Sequence, residues 1–478
     1  MYISRRHLLQ QGAAYSAGFL GLQALLRSGS EPAAAAAALP ARRFIDGYGP
    51  LVADPAGCFD LPLGFSYHII SPAGATMTDG LCVPGLPDGM AAFPGPRGLT
   101  ILIRNHEIKY DWIRHSPFGP VRDDASLSIE PDLLYDRGFG TTPGLGGTTT
   151  LVYDTHKREL ISHSLSLVGT MLNCAGGPTP WNTWISCEET EQLADDEFCE
   201  VDHGYNFEVP ATTDIGLVKP VPLKAMGRFK HEAVAVDPRT GIIYQTEDQH
   251  EGLLYRFIPS QPGELHLGGS LQMLALRDVR SADTRNWPND LGVIAHQIAV
   301  GSSFRVDWID VEDIESPNND MRFRGFDAGA ARFARGEGMW WAGSSTYFAC
   351  TNGGPAKIGQ IWRYTPSPHE GSPNESTSPG VLELFLESGD SELLRNCDNL
   401  TSAPWGDLLV CEDGGGRDRI VGITPAGECY TFGSNAASDA ELAGACFSPD
   451  GSTLFVNIQQ DGLTLAITGP FHKRTPEI

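Results

Sequence analysis

The sequence predicts an all-β fold, a six-bladed β-propeller with insertions between blades. Three observations carry this. A turn-and-strand pattern recurs six times. Gly (55) and Pro (34) are spread through the 478 residues, as many turns between short strands require. The chain also lacks a strong helical period, and repeats at spacings of tens of residues then favour a propeller over a helical solenoid.

In each copy a turn with Pro, Gly or Asp enters a run of apolar residues, and a polar or acidic residue closes it. The first is PRGLTILIRN at 96–105, and the second is TPWNTWISCE at 179–188. The third is DPRTGIIYQTED at 237–248, followed at 252–257 by a second strand, GLLYRF. The fourth is AGSSTYFACTN at 342–352, with GQIWRY after it at 359–364. APWGDLLVCED at 403–413 and SPDGSTLFVN at 448–457 complete the set. Spacing between copies is irregular, so residues 108–147 and 263–330 read as insertions. A two-sheet sandwich is the competing fold.

Residues 1–41 read as a targeting segment rather than part of the domain. Arg5-Arg6 stand beside Leu8-Leu9, a weakly apolar run spans 13–26, and an alanine-rich stretch follows. That is the order of a signal peptide, and the paired arginines resemble a twin-arginine signal. Cleavage is expected between Ala36 and Ala41. Residues 42–478 then form one propeller domain, exported to the periplasm or secreted, with the twin-arginine translocase as its partner during export and no stable membrane insertion.

The net charge of −25 excludes a non-specific nucleic-acid binder, which needs Lys and Arg against phosphates. An acidic surface for solubility is one reading of this charge. Carboxylates neutralised by bound cations are the other. The ten cysteines contain no C-x-x-C pair, so zinc-ribbon and thioredoxin readings fail.

In a propeller, equivalent strand ends meet at one face of the central channel. The closing residues are Asn105-His106-Glu107, Cys187-Glu188-Glu189, Glu247-Asp248, Asn352, Glu412-Asp413 and Asn457 with Gln459. A second set opens apolar strands: Asn173, Lys230-His231-Glu232, Arg335-Gly336-Glu337 and Asp398-Asn399. Several like charges in one channel must bind protons or cations. Clustered carboxylates suit calcium, and a thiolate beside them suits a softer metal. Each residue also has a plainer reading: core histidines at His106 and His231, a buried filler at Cys187, a solvated strand end at Glu188-Glu189, turn residues at the asparagines.

Two longer strings go further. NCAGGPTPW at 173–181, running on to WISCEE at 184–189, resembles the PhoX family of alkaline phosphatases, and so does GRFKHEAVAVDP at 227–238. RGEG at 335–338 and FSPD at 447–450 extend the resemblance across most of the chain. It implies a monomeric six-bladed propeller that hydrolyses phosphate monoesters with two Fe3+ and three Ca2+. By motif matching it implies Cys187 as the thiolate on the iron pair, Glu232, Glu337 and Asp398 as carboxylate ligands, and Arg335 on the phosphate. Glu188, Glu189 and Asp413 are further metal ligands by position in the repeat. Arg335-Gly336-Glu337-Gly338 stands where many relatives have Arg-Pro-Glu-Gly. The competing functions are a calcium-dependent propeller hydrolase of another substrate, such as a phosphodiesterase or lactonase, a phosphotriesterase or phytase-like activity, and a non-catalytic, calcium-stabilised binding propeller.

Overall fold

The computed structural model describes residues 44–119, 129–294 and 296–472. The expected signal at 1–41 lies outside them. The domain is all-β apart from one α-helix and a few 3-10 turns among the described residues. Its arrangement is propeller-like.

Strands β1 (Leu51–Val52), β2 (Phe59–Pro62) and β3 (Ser66–Ile70) come first but build no sheet of their own. β4 (Pro87–Pro94), β5 (Thr100–His106), β6 (Gly146–Asp154) and β7 (Glu159–Thr170) form an antiparallel sheet in chain order. β8 (Asn173–Pro178), β9 (Thr183–Glu188) and β10 (Asn206–Pro210) form a second. The third starts with β11 (His231–Val236), β12 (Ile243–Glu247), β13 (Gly252–Pro259), β14 (Gly269–Leu276) and β15 (Ser303–Asp310). Helix α1 (Met321–Ala328) and β16 (Arg332–Phe333) follow. β17 (Gly336–Ala342), β18 (Ser345–Cys350), β19 (Gln360–Thr365) and β20 (Val381–Glu387) then merge with the third sheet, because β15 pairs with β20. β21 (Cys397–Ser402), β22 (Leu408–Glu412), β23 (Arg419–Ile423) and β24 (Cys429–Asn435) carry β2 and β1 on their outer edge. β25 (Leu442–Phe447), β26 (Thr453–Ile458) and β27 (Leu463–Thr468) carry β3. Hydrogen bonding thus gives five sheets among the described residues, where the repeats predict six. The β15–β20 pairing joins two of them.

All six sequence repeats are strands: β5, β9, β12, β18, β22 and β26. Each is the second strand of its unit. The first strands, β4, β8, β11, β17, β21 and β25, pack side by side in a closed ring. The closing residues of the repeats therefore stand one strand behind the channel wall.

The ring strands share two local features. Each breaks register with its partner at the same place: Pro87/Met90, Asn173/Gly176, His231/Val234, Gly336/Met339, Cys397/Leu400 and Ala443/Cys446. A β-bulge of this kind bends the strand and re-aims a side chain. Four of the strands are also entered through a non-glycine residue at positive φ: Leu86 (46°), Leu172 (49°), Arg335 (52°) and Asn396 (44°). Such backbone costs on the order of 1–3 kcal/mol each and persists where its surroundings over-determine it.

Below the bulges the ring is closed by small residues and plugged by large ones. Gly89, Ala175, Ala233, Gly338, Asn399 and Gly444 line a void of only about 20 Å³, with Met90 and Trp340 beside it. The apolar core lies between neighbouring sheets. Trp362 and Tyr364, fully buried, pack with Leu274 and Tyr244 in one such layer.

Candidate metal centre

The first residue inside each bulge sits where the ring converges. In chain order these are Asp88, Cys174, Glu232, Glu337, Asp398 and, in β25, Gly444. Their donors come together in linked groups. Ligand atoms of Cys174, Glu189 and Glu232 lie within 4.8 Å of one another, as do those of Glu232, Glu337 and Asp398, and those of Asp88, Glu107 and Glu441.

Seven carboxylates and a thiol share this space with two basic side chains in the wall. Lys230 Nζ donates to Glu189 Oε1 at 3.2 Å. Arg335 pairs bidentately with Asp248, Nε and Nη2 at 2.7 and 2.8 Å, and Nη2 also reaches Glu337 Oε1 at 2.9 Å. Its Nη1 has no partner among the described residues. Positive charge falls well short of negative, and the carboxyls respond. Burial, with Glu107 and Asp398 nearby, pushes Asp88 well above the usual carboxylate range. Burial and neighbouring carboxylates do the same to Glu189, Glu232, Glu337 and Glu441. Glu107 and Asp398 are pushed up to about 7, chiefly by burial.

These residues fit a metal cluster. Asp88 Oδ1 is buried without a hydrogen-bond donor, while its Oδ2 takes Gln459 Nε2 at 2.8 Å. A carboxylate oxygen left bare among like charges is a cation's ligand or a proton's resting place. The oxygen-rich side at Asp88, Glu107 and Glu441 suits a hard ion. The side carrying Cys174 suits a softer one.

The sequence-predicted residues divide. Glu189, Glu232, Glu337, Asp398 and Arg335 are brought together. Cys187 is not. Its side chain is fully buried in an apolar cluster with Ile185, Phe229 and Val234, and burial alone raises its thiol. Strand pairing places Cys174 in the ring and Cys187 one strand behind it. Cys174 is the thiol at the cluster, and its thiol is raised by burial with Glu232 and Glu189 next to it. Glu188 is not a ligand to the cluster either. Its oxygens accept the amides of Met171, Gly204 and Tyr205 and His203 Nδ1 at 2.7 Å, so they are already satisfied. Glu412 is likewise consumed by Arg419 and the Arg395 amide. Asp413 is exposed and stands above the group, acting on Asp398 and Glu441 through its charge. His106 and His231 are core histidines: His106 bonds Gly85 O and Thr149 Oγ1, and His231 bonds Gly227 O and lies against Phe229.

Sequence reasoning missed Asp88 and Glu441 and left Cys174 and Glu107 unassigned. A signal existed. Pro87-Asp88-Gly89-Met90 has the same form as Gly336-Glu337-Gly338-Met339, a ligand followed by a small and then a large apolar residue.

The chain is similar to several proteins of known structure. A solved structure of Pseudomonas fluorescens PhoX in complex with vanadate, a transition state analogue, aligns over 90% of this chain and 98% of that one, with a TM-score of 0.63 at 18% identity. A gluconolactonase from Xanthomonas campestris aligns over 88% and 98%, with a TM-score of 0.37 at 12% identity. Virginiamycin B lyase from Staphylococcus aureus aligns over 84% and 99%, at 0.34 and 10%. Among curated proteins nothing matches. The family described as alkaline phosphatase PhoX matches residues 46–133 and 145–462. The chain belongs to that family of metal-dependent phosphatases.

Proposed function

We propose that this chain hydrolyses phosphate monoesters through a cluster of iron and calcium, two Fe3+ and three Ca2+, held by the bulge residues of its ring. The observation that carries this is the recurrence itself. Five of six ring strands turn an acidic or thiol side chain into one channel, and an arginine stands in the wall. The iron pair belongs on the side of Cys174, Glu189 and Glu232. Calcium belongs among Asp88, Glu107, Glu441, Glu337 and Asp398. Bound ions supply Lewis acidity toward the phosphoryl oxygens and activation of the attacking water.

The chain's own part is to bind and orient. Asp248 and Glu337 fix the Arg335 guanidinium in one plane. Nη1 is left to meet a phosphoryl oxygen, an interaction that gains strength as charge builds on that oxygen. Lys230, paired with Glu189, adds a second positive charge at the channel. Met90 and Trp340 stand beside the narrow void of about 20 Å³ inside the ring, too small to pass a phosphate ester.

Protein exported and purified without chelator is expected to contain iron and calcium and to hydrolyse p-nitrophenyl phosphate. Calcium chelation and vanadate should each stop turnover, and Arg335→Lys should lower kcat/KM by about 10²-fold, since an ammonium cannot replace the planar fork. Calcium without iron, and no turnover, overturns the reading. The recurring bulge supports six blades, two sharing a sheet through β15 and β20. A monomer exported by the twin-arginine route to the periplasm completes the proposal. Arg5→Lys with Arg6→Lys should retain the precursor in the cytoplasm on fractionation, and unchanged export would refute the route.

A further inference from the structure

Away from the channel, a second group of donors converges where the 108–147 insertion meets the loop between β9 and β10. Asp136, Cys199 and His203 each offer a ligand atom within 4.8 Å of the others. All three are at most 2% exposed. Nothing in the phosphatase chemistry uses them.

The surroundings fix each donor. Asp136 Oδ1 accepts the amides of Gly138 and Glu200 at 2.7 and 3.3 Å, which leaves Oδ2 facing His203 Nε2 at 3.1 Å. His203 Nδ1 lies 2.7 Å from Glu188 Oε1, and the other Glu188 oxygen is held by the amides of Gly204 and Tyr205. The imidazole is therefore locked with Nε2 toward Asp136. Asp195 Oδ1 accepts the amides of Glu197, Phe198 and Cys199 and so sets the turn that presents the thiol.

A carboxylate behind the outer nitrogen is how metal-binding imidazoles are oriented. One thiolate, one imidazole and one carboxylate form a borderline-soft set that selects Zn2+ over Ca2+. The ion takes the place of the proton shared between His203 Nε2 and Asp136 Oδ2 and of the Cys199 thiol proton, so two protons leave as one divalent ion enters.

We propose that Asp136, Cys199 and His203 bind a Zn2+ ion, with Glu188 positioning His203, and that this ion ties the insertion to the loop that follows Glu189. The proposal does not rest on the phosphatase reading.

Cys174→Ala removes the thiol at the channel and leaves these residues intact. Loaded with Co2+ as the probe, it should show a thiolate-to-cobalt charge-transfer band. The band should vanish in Cys174→Ala/Cys199→Ser. A second measurement uses the intact enzyme. After incubation with Zn2+ and removal of excess, wild type should hold one equivalent more zinc than Cys199→Ser, whose p-nitrophenyl phosphate turnover should stay within about twofold. No band in Cys174→Ala, or equal zinc in wild type and Cys199→Ser, overturns the proposal.

Discussion

Cys174 and Cys187 stand thirteen residues apart in sequence, and both are buried. Both belong to one apolar cluster, but Cys174 alone of the two has Glu189 and Glu232 within ligand reach. Cys174→Ala should strip the softer metal and lower kcat/KM by on the order of 10²-fold, the scale expected when a metal's immediate surroundings are cut. Cys187→Ala should keep turnover and cost about 1–2 kcal/mol of stability, the size of a small buried deletion. Metal content and thermal melting read the two outcomes, and the reverse pattern would restore Cys187 as the ligand. Asp398 and Glu107 give a pH test. Their folded pKa of about 7 lies above the unfolded carboxylate value. Between about pH 4 and 7 the metal-free folded chain therefore binds more protons than the unfolded chain, and its stability falls as pH rises through about 7. Chelated protein should melt lower at pH 8 than at pH 5. Added Ca2+ should reverse that order, because cations replace the lost protons. An order that ignores Ca2+ would argue against a cation cluster. At this scale the sequence displayed Glu189, Glu232, Glu337 and Asp398 among the acidic side chains that meet in the channel, since charged residues beside apolar strands are conspicuous. It did not separate the two cysteines, because a thiol in a ring strand and a thiol one strand behind it have the same apolar neighbours in sequence.

The elements explain why the ligands recur. A bulge admits the side chain, and the next residue is Gly or Ala in five of the six ring strands, with Asn399 in the sixth, because a neighbouring ring strand is close. At Gly338 an added Cβ would lie 2.6 Å from Asn399 Cα and 2.7 Å from Asp398 O. Gly338→Ala should therefore displace Asp398, cost about 1–3 kcal/mol as overpacking does, and weaken metal retention. Gly415→Ala, with nothing within 4 Å of its Cβ, is the control and should be neutral. Thermal melting with metal analysis checks both, and a neutral Gly338→Ala would mean that the ring has slack. The repeats were legible because β5, β9, β12, β18, β22 and β26 are apolar runs entered through turn chemistry and closed by a polar residue. The ring strands were harder to read. Most are rich in Gly and Ala, and all are irregular at the bulge, so they keep neither strict alternation nor a continuous apolar run. The strand ends Glu188 and Glu412 misled for a related reason. They recur with the repeat, but what recurs is a carboxylate that anchors a loop.

For the whole molecule, the acidic excess sets the terms on which substrate arrives. The chain is strongly negative, yet its substrate class is anionic. Attraction must therefore come from the channel, and loss of ions there should raise KM as well as lower kcat. Among the described residues no helix is long and apolar enough to cross a membrane. Closure of the fold depends on its beginning and its end together: β3 pairs with β27, and β2 with β24. The bulges add a second kind of closure. Because the donors come from ring strands and from residues that flank the strands beside them, spread along the chain from Asp88 to Glu441, bound ions would act as a hoop drawn round the inside of a barrel. Its tension would be shared by staves that never touch in sequence. Such a hoop can be tightened only after all its staves are in place and loosened only all at once. The export route proposed above would suit a protein built this way only if the hoop is drawn tight beforehand.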